Sequence, residues 1–230
     1  MSNNMIYRAR HALRARPSLA SLGAGELSRW SPMRIGCALV GLLLLTYSVA
    51  HAEIEKIAIP GENGLSVHWW PKLAPLNGWH QDREHSLFYG ANALAPDGNT
   101  FKNAETVMYA RAIFKPRAPD IKSLAALIES DRKEFEASVP GISIHEVAAI
   151  SSFDGQKFRS FTFFPTSEGN WERVSYGEEG EFYLVFTVSS RTRSGFNAAV
   201  GAYEKLIIGY NQIPDPAVHG TPPDRAPKRP

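Results

Sequence analysis

The stretch "EFYLVFTVSSRTRSGFNAAVGAYEKLIIGY", Glu181 to Tyr210, changes its hydrophobic period partway along. From Phe182 to Val188 it is a run of aromatic and β-branched residues interrupted only by Leu184, the composition of a strand. Beyond Ser194, a candidate N-cap, the apolar positions Phe196, Val200, Tyr203, Ile207 and Tyr210 recur at helical spacing and form one stripe. A helix apolar on one side only is made to lie on a sheet.

Upstream, "WERVSYG" from Trp171 leads through "EEG" into that strand, which reads as a hairpin. "ISIHEVAAI" and "KFRSFTFFP" flank "SSFDGQ", where Asp154-Gly155 is a strong hairpin signal. "TVMYARAIFK", Thr106 to Lys115, sends Val107, Tyr109, Arg111 and Ile113 one way and Met108, Ala110, Ala112 and Phe114 the other. In "SLAALIESDRKEFEAS", Leu124, Leu127, Ile128 and Phe135 share a helix face, with Ser123 or Asp120 as cap and Pro140-Gly141 as stop. Weaker strands are expected at Ile54 to Ile59, Leu65 to Trp70 and Ser86 to Asn92. Hairpins with interspersed helices specify α+β rather than a parallel βαβ sheet. The expectation is a twisted, mainly antiparallel sheet of about six or seven strands carrying two main helices.

The segment Phe101 to Tyr210, a long strand, capped helix, two hairpins and closing helix, resembles the PsbP-like family. That family includes extrinsic proteins of photosystem II and a Ran-binding nuclear import factor. The resemblance implies an α/β/α sandwich and non-enzymatic accessory binding. It rests on pattern, and no family residue set can be carried over to this chain. "HWWPKLAPLNGWHQD", from His68, also resembles a segment of exported bacterial proteins of unknown function.

The leader fixes the expected compartment. "MRIGCALVGLLLLTYSVAHAE", from Met33, has one cation, a short apolar run and Ala50-His51-Ala52, the layout of a cleaved signal peptide. The run is shorter than the ~20 apolar residues of a membrane span. Residues 1–32 carry five arginines and one acid, so either translation starts at Met33 or the signal has a long basic extension. The expected organisation is a signal peptide over 1–52, one PsbP-like domain over 53–211, and a proline-rich disordered tail over 212–230. The chain has 25 basic and 23 acidic residues, and removing six basic and one acidic residue with the leader leaves 19 against 22, formally −3. No basic stripe remains for nucleic acid or anionic lipid. The single cysteine, Cys37, leaves with the leader, which excludes disulfides, thiolate metal sites and a cysteine nucleophile from the mature chain.

"NGWHQDREH", Asn77 to His85, concentrates the candidate chemistry. In an extended chain His80 and Asp82 point the same way, and a bend would add His85. Such nitrogen and oxygen donors suit zinc, copper or manganese. Against that stands a solvated loop leading into "SLFYGAN". Trp69, Trp70 and Trp79 offer stacking surfaces, or else they close the end of a small core. "YGEEGEF" and "APDGNTF" read as turns rather than calcium loops. No G-x-S-x-G, H-E-x-x-H, Walker or G-x-G-x-x-G motif is present. The leading expectation is a periplasmic or secreted, non-enzymatic binding protein that recognises a protein or small ligand through Trp69, Trp70, Trp79, His80 and Asp82. The alternatives are a metal-binding protein using His80, Asp82 and His85, and a hydrolase with a dispersed site. No nucleic-acid partner and no stable membrane insertion are expected. Mass spectrometry of the exported protein is expected to find Glu53 as the first residue; an intact leader would refute cleavage after Ala52.

Overall fold

The computed structural model describes residues 54–61 and 64–210. The expected signal peptide, the expected cleavage site and the expected disordered tail lie outside the described residues. These residues form an α+β fold with a nine-stranded, antiparallel sheet and three α-helices. The elements run β1 (Ile54–Gly61), β2 (Gly64–Pro71), β3 (Trp79–Gln81), α1 (Arg83–Tyr89), β4 (Asn92–Pro96), β5 (Thr106–Phe114), a 3-10 turn (Lys115–Arg117), α2 (Leu124–Ser138), β6 (Ser143–Ser151), β7 (Lys157–Phe164), β8 (Trp171–Glu179), β9 (Phe182–Ser190) and α3 (Arg193–Ile208).

The spatial order is β1-β2-β5-β9-β8-β7-β6. Strand β5 therefore pairs β9 along its whole length, Thr106 opposite Ser190 and Phe114 opposite Phe182. Its other edge is shared by two strands. β4 pairs it at Met108 to Ala110, and β2 pairs it at Ala112. β6 is an edge strand whose register shifts between Val147 and Ile150; such an irregularity bends an edge away from further pairing.

The pleat sorts side chains between two helices. Leu184, Phe186 and Val188 of β9, with Met108, Ala110 and Ala112 of β5, pack under Phe196, Ala199, Tyr203, Leu206 and Ile207 of α3. Tyr183 and Val185 point the opposite way and join Phe161, Phe163, Val174 and Tyr176 beneath Leu127, Ile128 and Phe135 of α2. A third, smaller cluster places Tyr89 of α1 with Ala93, Phe101, Ala104 and Val107. The Tyr203 hydroxyl lies 2.7 Å from Ser175 Oγ and 3.0 Å from the Phe186 carbonyl. It thus ties α3 to the sheet through a buried polar contact, and burial pushes its pKa up.

Three sequence expectations are corrected. The sheet has nine strands, because β3 and β4, at three and five residues, are too short to show a period. Ser86 to Asn92 is not a strand; Arg83–Tyr89 is a helix, started by the Asp82 side chain and ended at Gly90, whose φ of 65° is left-handed. The cap of α3 is Thr192, not Ser194, its side chain accepting from the Gly195 N–H. Ser123 does cap α2.

Trp70 is 0% exposed and donates from Nε1 to Glu55 Oε2 at 3.1 Å. Trp70→Ala is expected to cost about 3–5 kcal/mol in urea unfolding; a loss below about 1 kcal/mol would contradict this packing.

Candidate functional site

The segment Trp69 to His85 divides between the two sheet faces. Trp69 opposes Lys56 in β1 and Ala112 in β5, and it packs on the α3-side core together with Leu73, Leu76 and Trp79. The loop between Pro71 and Trp79 therefore folds its leucines back over the end of that core. Trp70 points to the other face and is fully buried. As a recognition residue it is ruled out, since a partner has no access to it.

The expected pairing of His80 with Asp82 does not form. Strand β3 ends at Gln81, so the two-residue alternation stops before Asp82. His80 is exposed and its Nδ1 lies 3.5 Å from Asp97 Oδ1, across the β3–β4 pair. Asp82 instead caps α1. Its Oδ1 accepts the His85 N–H at 3.1 Å and its Oδ2 accepts the Phe101 N–H at 2.8 Å. His85 Nδ1 is 2.8 Å from the same Oδ2, an ion-pair contact when the ring is protonated. The imidazole is held against Tyr89 and Phe101, with ring centroids 6.1 and 6.2 Å away.

This makes Asp82 a structural hub. Desolvation pushes its pKa up, but the Phe101 and His85 N–H groups and the His85 side chain outweigh that and leave it below 3.8. The neighbouring hydroxyl, Ser86, is fully buried; it donates to the Asp82 carbonyl at 2.7 Å and accepts the Ala93 N–H at 3.0 Å. It is spent on holding α1 to β4 and is no nucleophile for the imidazole. Among the described residues no group of three His, Cys, Asp or Glu side chains is arranged to hold a metal ion. The structure thus joins Asp82 to His85 and leaves His80 with a different carboxylate. Gly90 is required where it stands: a Cβ there would lie 2.4 Å from His68 Nδ1. His68 is half-buried, and burial lowers its pKa.

One contact at this corner had no signal in the sequence. Trp69, Phe114 and Phe182 pack together, with Trp69–Phe114 centroids 5.2 Å apart and Trp69–Phe182 centroids 6.3 Å apart. The Arg117 guanidinium lies over the Trp69 ring, 5.0 Å from its centroid. Arg117 is exposed and, among the described residues, pairs with no carboxylate. It comes from the 3-10 turn after β5, 48 residues downstream of Trp69, and no spacing rule connects the two. No helix among the described residues is long and apolar enough to cross a membrane.

No family model matches the chain, and no curated protein matches it. Among solved structures it is similar to the crystal structure of PA94, a protein of unknown function from Pseudomonas aeruginosa. The identity is 11%, the TM-score 0.38, and the match covers 72% of this chain and 99% of that one. At that distance the likeness says nothing of what either protein binds. What the described residues define is an α+β protein with a half-buried aromatic corner as its candidate site.

The Asp82 contacts carry a pH signature. A carboxylate whose folded pKa is depressed adds stability above its ordinary pKa, and that contribution disappears as pH falls through the folded value. Wild type is expected to be more stable than Asp82→Asn near neutral pH, because Asn can still cap the helix but loses the charge. The gap should close below pH 3.8. Urea unfolding of both proteins from about pH 6 to about pH 3 measures it; a gap independent of pH would mean that the Asp82 charge contributes nothing.

Proposed function

We propose that this chain is an exported, non-enzymatic accessory protein with a PsbP-like α/β/α sandwich, which binds another protein through the corner formed by Trp69 and Arg117. The observation that carries this reading is the stack of Arg117 on half-buried Trp69, with no carboxylate to satisfy the guanidinium among the described residues. A cation over an indole face leaves its hydrogen-bond donors open to a partner. Arginine and tryptophan are also among the residue types most enriched where binding energy concentrates. The partner that fits offers a carboxylate to Arg117 and an apolar side chain to Trp69. Lys56, the exposed cross-strand neighbour of Trp69, adds a second cation at the rim. Export is supported by the leader, whose residues lie outside the described part.

The metal-binding alternative has no comparable observation behind it, because Asp82 is occupied by two N–H groups and His80 stands apart. The hydrolase alternative has none either, since the hydroxyl beside the Asp82–His85 pair is buried and bonded.

Arg117→Glu is the clean test, because the residue is exposed and its removal leaves the core intact. Capture of a partner from the exported fraction by immobilised full chain is expected to fall at least ~10-fold, with the melting temperature unchanged. Capture that survives both Arg117→Glu and Trp69→Ala would sink the proposal.

A further inference from the structure

Arg111 is the one charged side chain in strand β5, and it sits on the face that α2 and α1 cover. In register it opposes Val185, which in turn opposes Tyr176, and its strand neighbour on the same face is Tyr109. The Arg111 side chain is 19% exposed, and its Nη2 lies 3.7 Å from Asp131 Oδ2 on α2, beyond hydrogen-bonding reach. Among the described residues Arg111 makes no hydrogen bond, and its buried Nε has no partner. Asp131 is 16% exposed and accepts the Tyr176 hydroxyl at 3.1 Å.

A largely desolvated guanidinium with five donors and only one long ion pair is costly. Buried arginines that serve the fold are held by short, charge-assisted hydrogen bonds. Arg173 on the opposite face shows that pattern, with Glu204 Oε1 at 2.7 Å and the Ala148 carbonyl at 3.1 Å. Apolar packing would stabilise the Arg111 position as well or better. The cost is therefore better explained by a ligand than by the fold.

The surroundings define that ligand. α2 lies over β7, β8 and β9, while α1 and Phe101 lie over β4, so the half-buried Tyr109 and Arg111 form the floor between them. Tyr109 is in edge contact with Phe101, centroids 6.1 Å apart. The Tyr176 hydroxyl stays protonated, because burial and then the Asp131 charge push its pKa up. It thus remains a donor and keeps Asp131 an acceptor. We infer that Arg111, Asp131 and Tyr109 bind a small carboxylate that carries a hydrogen-bond donor beside the carboxylate, as in an α-amino or α-hydroxy acid. The carboxylate meets the Arg111 fork, the neighbouring donor meets Asp131, and an apolar body lies on Tyr109. A phosphate dianion is disfavoured, because the Asp131 charge repels it. This site is on the opposite face from Trp69 and Arg117 and is independent of the proposed partner surface.

Titration calorimetry of the full chain with L-phenylalanine, L-phenyllactate, phenylacetate and inorganic phosphate tests the inference. Binding is expected for L-phenylalanine, L-phenyllactate or both, and which one binds identifies the donor as ammonium or hydroxyl. Phenylacetate, which lacks the donor, should bind at least ~10-fold more weakly, and phosphate not at all. Arg111→Lys keeps the charge but loses the fork and should weaken binding at least ~10-fold. Arg111→Met should abolish it; circular dichroism and the melting temperature report whether each variant is folded, and if Met fails to fold, Lys decides. No binding of the two donor-bearing acids by wild type up to about 10 mM overturns the inference. So does equal affinity for phenylacetate, binding of phosphate, or unchanged affinity in a folded Arg111 variant.

Discussion

Burying both faces of β9 is the constraint on which the rest of the structure depends. The strand is flanked by β5 and β8 along its whole length, so its backbone is satisfied on both edges. Its side chains must then be covered above and below, and one helix cannot do both. α2 takes Tyr183 and Val185, while α3 takes Leu184, Phe186 and Val188. The polar residues buried in the sheet follow from the same crowding: Ser160, Ser175 and Tyr203 satisfy one another because water cannot reach them. α3 follows directly on β9, so the chain closes onto the α3-side face almost without a loop.

The segment that looked richest in chemistry, Asn77 to His85, is largely architecture. The loop after Pro71 uses Leu73, Leu76 and Trp79 to close the α3-side core, and Asp82 uses its carboxylate to start α1 and hold the Phe101 loop. Clustered histidines and acids in a sequence resemble a ligand set, yet a carboxylate that caps a helix has few lone pairs left for a metal. The two proposed recognition sites are what this architecture leaves half-covered: Trp69 under Arg117 on one face, and Arg111 beside Asp131 on the other.

How legible these features were varied with the range of the interaction. The hairpins around Asp154-Gly155 and Gly180 were read correctly, because turn chemistry and alternation are local, and both glycines have positive φ. The helix at Arg83–Tyr89 was missed although its signals, Asp82 at the cap and Gly90 at the stop, are also local. At seven residues it is too short for a helical stripe to outweigh the strand-like composition of "SLFYGAN". Arg111 carried a faint signal, a lone cation on the inward face of an apolar strand. Its meaning depended on Asp131 and Tyr176, which lie 20 and 65 residues away.

The sequence by itself determined the α+β class, the two long helices with the faces they bury, and the two hairpins of the second half of the chain. These follow from period, caps and turns, which act within a few residues. Only the tertiary structure decided that β4 and β2 share one edge of β5, that Trp70 is core while Trp69 stays half-buried, and that His80 and Asp82 have separate partners. The physical reason is that burial and charge pairing are set by which distant strands become neighbours. That choice belongs to the packing of the whole sheet, and no local window contains it.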